Sequence, residues 1–149
     1  MMKILSGLAL LITLVALSGC GSDESQAKAR FVDRGDAICR KAMTEQARLV
    51  SHLKVKVLPE NFETVEAVFL PPMKEELRRL QALHPPPGEG DQVRAILRAI
   101  ESGLEDARVD GLDLFLRQTD PFARANALAR KFGFVACAES SHAVLKPRG

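Results

Sequence analysis

The side chains of this chain that could do chemistry are few and scattered. Its three histidines, His52, His84 and His142, lie far apart in the sequence. No two of them have the i, i+4 spacing that places a pair of metal ligands on one face of a helix. We therefore interpret each as a surface histidine and expect no metal site.

Carboxylates are more numerous, but arginines accompany them. Glu75 and Glu76 are followed closely by Arg78 and Arg79, and the same mixture recurs over residues 98–108. Mixtures of this kind usually form a solvated helix face with i, i+4 ion pairs. The sequence also lacks a serine-nucleophile elbow and a phosphate-binding loop. We therefore expect no enzymatic activity and no cofactor.

The first cysteine ends a long uncharged run. Lys3 gives the chain a positive start, residues 4–17 carry no charge, and Ser18, Gly19 and Cys20 follow. An apolar run of this length suits a secretory signal peptide, whereas a helix that spans a membrane needs about 20 apolar residues. The sequence therefore predicts export.

The segment Leu17-Ser18-Gly19-Cys20 resembles the lipobox of bacterial lipoproteins. The resemblance covers the first 20 residues and implies a diacylglyceryl group on Cys20 and cleavage between Gly19 and Cys20. It also implies attachment to the outer face of the cell membrane, or to an outer membrane where one is present. Two acyl chains suffice for stable anchoring, whereas one does not. An ordinary signal peptide that ends on cysteine is the alternative.

This interpretation divides the chain into four parts. They are a cleaved signal peptide (residues 1–19), the lipidated Cys20 with a flexible tether (20–28), a helical domain (29–140) and a loose tail (141–149). Removing residues 1–19 from the 149 leaves 130, which is enough for one domain with a real core.

Charge and composition restrict the partners. The mature part has 20 basic and 19 acidic side chains, and the chain has neither Trp nor Tyr. A protein that binds nucleic acid usually has a basic excess, so we expect no nucleic-acid partner. The partners that we expect are the membrane, through the lipid on Cys20, and another envelope protein.

Two cysteines remain once Cys20 carries lipid. Cys39 and Cys137 are 98 residues apart, and an exported protein lies where disulfides persist. We therefore predict a disulfide between them. A reactive or metal-binding thiol pair is the alternative, but it lacks the Cys-x-x-Cys spacing.

Apolar residues recur with helical spacing through most of the mature chain. They form four stripes, over residues 29–57, 62–83, 93–107 and 122–132. Asp120-Pro121 marks the start of the last helix, and Gly133 marks its end. We predict an all-α protein with the architecture of an antiparallel four-helix bundle.

Two breaks in the helical pattern adjoin apolar residues. Pro71-Pro72 predicts that the second helix is broken near Leu70, and Asp110-Gly111 predicts the end of the third helix. Burial in the core is the favoured interpretation of the neighbouring apolar residues. The alternative is a binding patch, formed by Phe69, Leu70, Met73, Leu112 and Phe115.

The mature part carries a second, looser resemblance. The patterns Phe31-x5-Ala37-Ile38-Cys39, Asp120-Pro121-Phe122 and Gly133-Phe134-x2-Cys137 resemble small exported helical proteins of high-GC bacteria, which have no assigned activity. This resemblance spans residues 31–137 and implies the helical fold alone.

These observations favour a lipid-anchored, extracytoplasmic protein with a non-enzymatic binding role in the cell envelope. A carrier or sensor of a small apolar ligand, with a pocket inside the bundle, is the alternative. A hydrolase is a third hypothesis, and it would need two or three polar groups that converge in a cleft.

Overall fold

All regular structure in the described part of the chain is helical. The computed structural model describes residues 20–53, 60 and 62–139, which form four helices. The predicted signal peptide (1–19) and the whole of the predicted tail (141–149) lie outside the described residues. The all-α prediction is confirmed for the described residues.

Helix α1 is longer at its start than the apolar stripe indicated. It comprises Cys20–Leu53, so residues 20–28, for which we predicted a flexible tether, are helical in the structure. Asp23 in the first turn is favourable to the helix dipole, and the strong helix formers Ala27, Lys28 and Ala29 follow. The helix propensity of these residues therefore accounts for the extra turns at the start of α1.

Helix α2 comprises Phe62–Gln81 and runs through both prolines. The predicted break at Pro71-Pro72 is therefore wrong. Proline has a helical φ, and its main cost is the hydrogen bond that its nitrogen cannot donate. Pro71 is exposed, so water can reach the carbonyl groups that lose a donor, while Leu70 and Met73 on either side are buried and hold the helix in place.

Helix α3 comprises Gly90–Leu116 and continues past its predicted end. Asp110 has a non-helical conformation (φ −121°, ψ 17°), so Asp110-Gly111 produces a kink instead of a terminus. Buried residues continue to Ala107, and Phe115 beyond the kink packs against Phe62. This contact explains why the helix resumes after Asp110.

Helix α4 comprises Ala123–Phe132, so it ends before Gly133 as predicted but begins two residues after the predicted start at Asp120-Pro121. The Asp120 carboxylate accepts a hydrogen bond from the Phe122 N–H at 2.8 Å, just before the first turn. Gly133 ends the helix with φ +119°, a left-handed conformation that favours glycine.

The helices form a bundle around one apolar core, in which each helix packs against the next along the chain. The first and last helices also meet, because the Phe31 ring lies edge-on to the Phe132 ring with centroids 5.8 Å apart. Gly103 allows α4 to approach α3 closely, since a Cβ there would stand 2.7 Å from the Phe122 ring.

A disulfide joins α1 to the segment after α4. Cys39 and Cys137 are bonded, with their Cα atoms 5.1 Å apart, so the predicted pairing is confirmed. One turn before Cys39, the buried carboxylate of Asp36 accepts hydrogen bonds from the N–H groups of Val135 and Cys137, both at 3.0 Å. The C-terminal segment is therefore attached to α1 by a covalent bond and by a buried carboxylate.

Candidate functional site

The structure brings together three of the five residues of the predicted binding patch, because Phe69, Leu70 and Phe115 line one small cavity between α2 and α3. Phe69, Leu70 and Met73 of α2 are buried in the core, whereas Phe115 is half-buried and Leu112 is 41% exposed. The α2 members therefore serve packing, and only the α3 members reach the surface.

Three large apolar side chains are exposed along the end of α3. Val109 is 59% exposed and Leu116 is 58% exposed, and Leu112 lies between them. Leu112 and Leu116 lie beyond the kink at Asp110, and their spacing of four residues places them on one side of the helix, whereas Val109 lies just before the kink. Single exposed apolar residues are ordinary on protein surfaces, but a row of them is typical of an interaction surface. We call Val109, Leu112 and Leu116 the α3 apolar stripe.

An aromatic contact supports this end of α3 from within. Phe115 packs on Phe62 at the start of α2, with ring centroids 5.4 Å apart. Gly111 lies against the Phe62 ring, since a Cβ at position 111 would be 3.0 Å from that ring. This packing holds the last turns of α3 against α2 and leaves the stripe turned outward.

A small apolar cavity lies between α2 and α3 behind the stripe. Its volume is about 20 Å³, which leaves room for about one water molecule. Phe62, Phe69, Leu114 and Phe115 contribute to its lining.

Glu66 is the charged residue of the cavity lining. Burial raises the pKa of its carboxyl group above the ordinary value of 4.5, and the negative charge of Glu63 adds to the effect. A carboxyl group in these surroundings takes up a proton more readily than an exposed one. Among the described residues that line the cavity, no nucleophile, histidine or second polar side chain lies beside it.

Acidic groups lie beside the stripe. Asp106 and Asp110 are exposed, and neither forms an ion pair with any described residue. The nearby cations Arg108 and Arg117 are each paired with a carboxylate of their own helix. The surface around the stripe is therefore apolar with an acidic margin.

The sequence patterns did not reveal the stripe as a unit. We placed the end of the third helix at Asp110-Gly111, which assigned Val109 and Leu112 to different elements. The spacing of four residues from Leu112 to Leu116 is visible in the sequence, and it becomes meaningful once the helix is known to resume after Asp110.

The other candidate residues do not converge on a site. His52 and His84 are exposed on separate elements, and His142 lies outside the described residues. Within the part of the chain that the structure describes, no three His, Cys, Asp or Glu side chains cluster as metal ligands would. Nor is any described helix long and apolar enough to cross a bilayer.

No protein-family model, curated protein or solved structure matches this chain. Its function is therefore inferred from its own residues and surfaces.

Proposed function

We propose that this protein is an exported lipoprotein, anchored to the membrane through Cys20, that binds another envelope protein through the α3 apolar stripe. The role is one of binding and not of catalysis. The observation that supports it best is the row formed by Val109, Leu112 and Leu116, which are exposed together at the end of α3.

The charges beside the stripe favour a particular kind of partner. Asp106 and Asp110 leave an uncompensated negative margin around apolar side chains. Complementary charge favours the correct partner and speeds its association. The expected partner surface is therefore an apolar segment flanked by lysine or arginine.

The apolar-ligand carrier is the weaker candidate. Pockets for small molecules commonly measure about 300–1,000 Å³. The apolar cavity between α2 and α3 measures about 20 Å³. That cavity is therefore too small for such a ligand, and the larger hollow between α1 and α2, of about 450 Å³, has the charged side chains of Lys41, Glu45 and Arg79 in its lining. Charged groups of both signs suit an apolar ligand less well than a surface contact suits the stripe.

The proposal includes an antiparallel, up-down-up-down arrangement of the helices. Three contacts support it. Phe62 at the start of α2 packs on Phe115 at the end of α3. The first part of α1 meets both the residue before α3, through Lys28 and Glu89, and the end of α4, through the rings of Phe31 and Phe132. In this arrangement the stripe lies at the end of the bundle opposite to Cys20. A partner would then bind away from the anchored end.

The anchor itself follows from the lipobox and the helix that begins at its cysteine. Cys20 is the first residue of α1, and Asp23 to Gln26 are exposed. A helical rise of about 1.5 Å per residue gives about 12 Å between Cys20 and Lys28, which forms an ion pair with Glu89 of the bundle. The lipid would thus join the domain through a short helical stalk.

Mass spectrometry of the membrane fraction tests the anchor. We expect the mature N-terminus to be a diacylated Cys20, and we expect Cys20→Ala to leave the membrane fraction or to stop maturation. Arg40→Gln, an exposed change elsewhere on α1, is the matched control. A Cys20→Ala protein that matures and fractionates normally would refute the anchor.

Site-specific photo-crosslinking in intact envelopes tests the partner. A photoreactive residue at Leu112 should capture one protein, and one at the exposed Arg124 of α4 should not. Val109→Gln with Leu116→Gln should abolish the capture at Leu112. The captured peptide should be apolar and flanked by basic residues. Equal capture at both positions, or capture that survives the double change, would contradict the proposed surface.

A further inference from the structure

A second surface feature lies between the first part of α1 and the loop that joins α2 to α3. It is a groove of about 290 Å³, close to the lower end of the range for small-molecule pockets. We call it the arginine groove. Its polar lining comes from Arg30, Arg34 and His84, and its apolar lining includes Phe31, Leu83 and Pro86.

No described residue forms an ion pair with either arginine of the groove. Arg30 and Arg34 are one helical turn apart, and both are exposed. By contrast, Arg78 and Arg79 of α2 both bind the carboxylate of Glu75 at 2.7 Å. Like charges at i and i+4 repel each other, so an anion between Arg30 and Arg34 would relieve a repulsion.

Among the described residues, no carboxylate lines the groove to compete with an anion. Asp33 lies between the two arginines in the sequence, but it forms no ion pair with either of them. Glu89, in the adjoining loop, already accepts hydrogen bonds from Lys28 at 2.7 Å and from Gln92 at 2.6 Å. The groove therefore presents positive charge without a neutralising partner.

The walls of the groove are fixed by packing. Phe31 is buried, and its ring packs on Phe132 and Phe134 with centroids 5.8 and 5.9 Å away. Pro86 is buried, and its carbonyl oxygen accepts a hydrogen bond from the Glu89 N–H at 3.1 Å. A site whose walls are already ordered loses less conformational freedom when a ligand binds.

We propose that the arginine groove binds the phosphate group of a small phosphate ester. Guanidinium groups form paired, charge-assisted hydrogen bonds with phosphate oxygens, and two of them one turn apart can share a single phosphate. His84 supplies a further polar group, and the apolar floor accommodates the organic part. The ester is either a free metabolite or the headgroup of an anionic lipid. This inference stands apart from the anchor and from the α3 apolar stripe, because it depends on different residues.

Calorimetric titration of the full-length chain in an uncharged detergent tests the site. One arm uses inorganic phosphate and glycerol 3-phosphate, with acetate as the control anion. The other uses micelles of the same detergent that contain phosphatidylglycerol, with phosphatidylcholine micelles as the neutral control. The variants are Arg30→Gln and Arg34→Gln, with Arg40→Gln as the matched control, an exposed arginine of the same helix that lies outside the groove. Circular dichroism confirms that each variant retains its helix content.

We expect saturable binding in at least one arm, weakened roughly tenfold by Arg30→Gln and by Arg34→Gln, and unchanged by Arg40→Gln. Arginine-dependent binding of the soluble phosphates identifies a free ester as the ligand, and arginine-dependent binding of phosphatidylglycerol alone identifies a lipid headgroup. The proposal is overturned by absence of binding in both arms, by equal weakening in Arg40→Gln, or by acetate binding as tightly as phosphate.

Discussion

One turn of α1 shows how much a few residues can determine. Three residues of this turn contact the C-terminal segment. A Cβ at Gly35 would stand 2.4 Å from the Phe134 ring. The Asp36 carboxylate accepts hydrogen bonds from two backbone N–H groups, and Cys39 forms the disulfide with Cys137. A buried carboxylate is costly unless it is hydrogen-bonded. The N–H groups of the C-terminal segment meet that need, so Asp36 and this segment require each other.

Glu66 permits a prediction at the scale of a single residue. Its folded-state pKa is raised above 4.5, mainly by burial. The contribution of Glu66 to stability is therefore fully present below pH 4.5 and is lost as the pH rises through the raised value. Glu66→Gln cannot ionise, so it should raise the melting temperature at pH 7 by roughly 1–3 °C and have little effect at pH 4.

Thermal unfolding at both pH values measures this difference. Glu101→Gln, an exposed change on α3, is the control and should leave the melting temperature unchanged at both. A Glu66→Gln protein that is less stable than the parent at pH 7 would show that the charged carboxylate stabilises the fold.

Helix α2 provides a prediction at the scale of an element. Pro71 lies within the helix and is exposed, so an alanine there adds a hydrogen-bond donor without changing the core. Because proline is about 3 kcal/mol less favourable than alanine within a helix, Pro71→Ala should stabilise the protein by about 1–3 kcal/mol.

Urea unfolding of Pro71→Ala measures that gain. Lys74→Ala, at an exposed position on the same helix, is the control and should shift stability by less than about 0.5 kcal/mol. A loss of stability in Pro71→Ala would mean that the proline ring makes a packing contribution larger than its helical cost.

The helices themselves follow from local patterns in the sequence. The apolar stripes predicted four helices, Gly133 predicted the end of α4, and the cysteine count predicted the Cys39–Cys137 bond. Each of these signals comes from the local sequence or from the number of cysteines, so it does not require knowledge of the tertiary contacts. The structure agrees with all three.

The features that the sequence did not predict depend on neighbours. Pro71-Pro72 and Asp110 are breaking signals, yet α2 continues through the prolines and α3 resumes after a kink. Burial of Leu70 and Met73, and the contact of Phe115 with Phe62, outweigh the local preference in these two places. The α3 apolar stripe was missed for the same reason, since it exists only if the helix continues.

At the scale of the whole molecule, the disulfide should contribute a large part of the free energy of unfolding. It closes a loop of 98 residues, and in the chain-entropy model a loop of about this length gives about 4.7 kcal/mol. We expect Cys39→Ser with Cys137→Ser to reduce the free energy of unfolding by about 3–5 kcal/mol.

Urea unfolding with and without dithiothreitol measures this contribution. The reductant should destabilise the parent protein to the level of the double variant and should not affect the double variant. A parent protein whose unfolding is insensitive to reductant, with the bond shown to be reduced, would contradict the expected contribution.

The same disulfide keeps the fragments of a proteolytic cut together. Any single cut between Cys39 and Cys137 falls inside the covalent ring, and the proline-rich connection between α2 and α3 is inside it. The two fragments would remain linked, and they would separate on an electrophoresis gel only after reduction. A nicked molecule would therefore stay in one piece until a thiol reduced the bond.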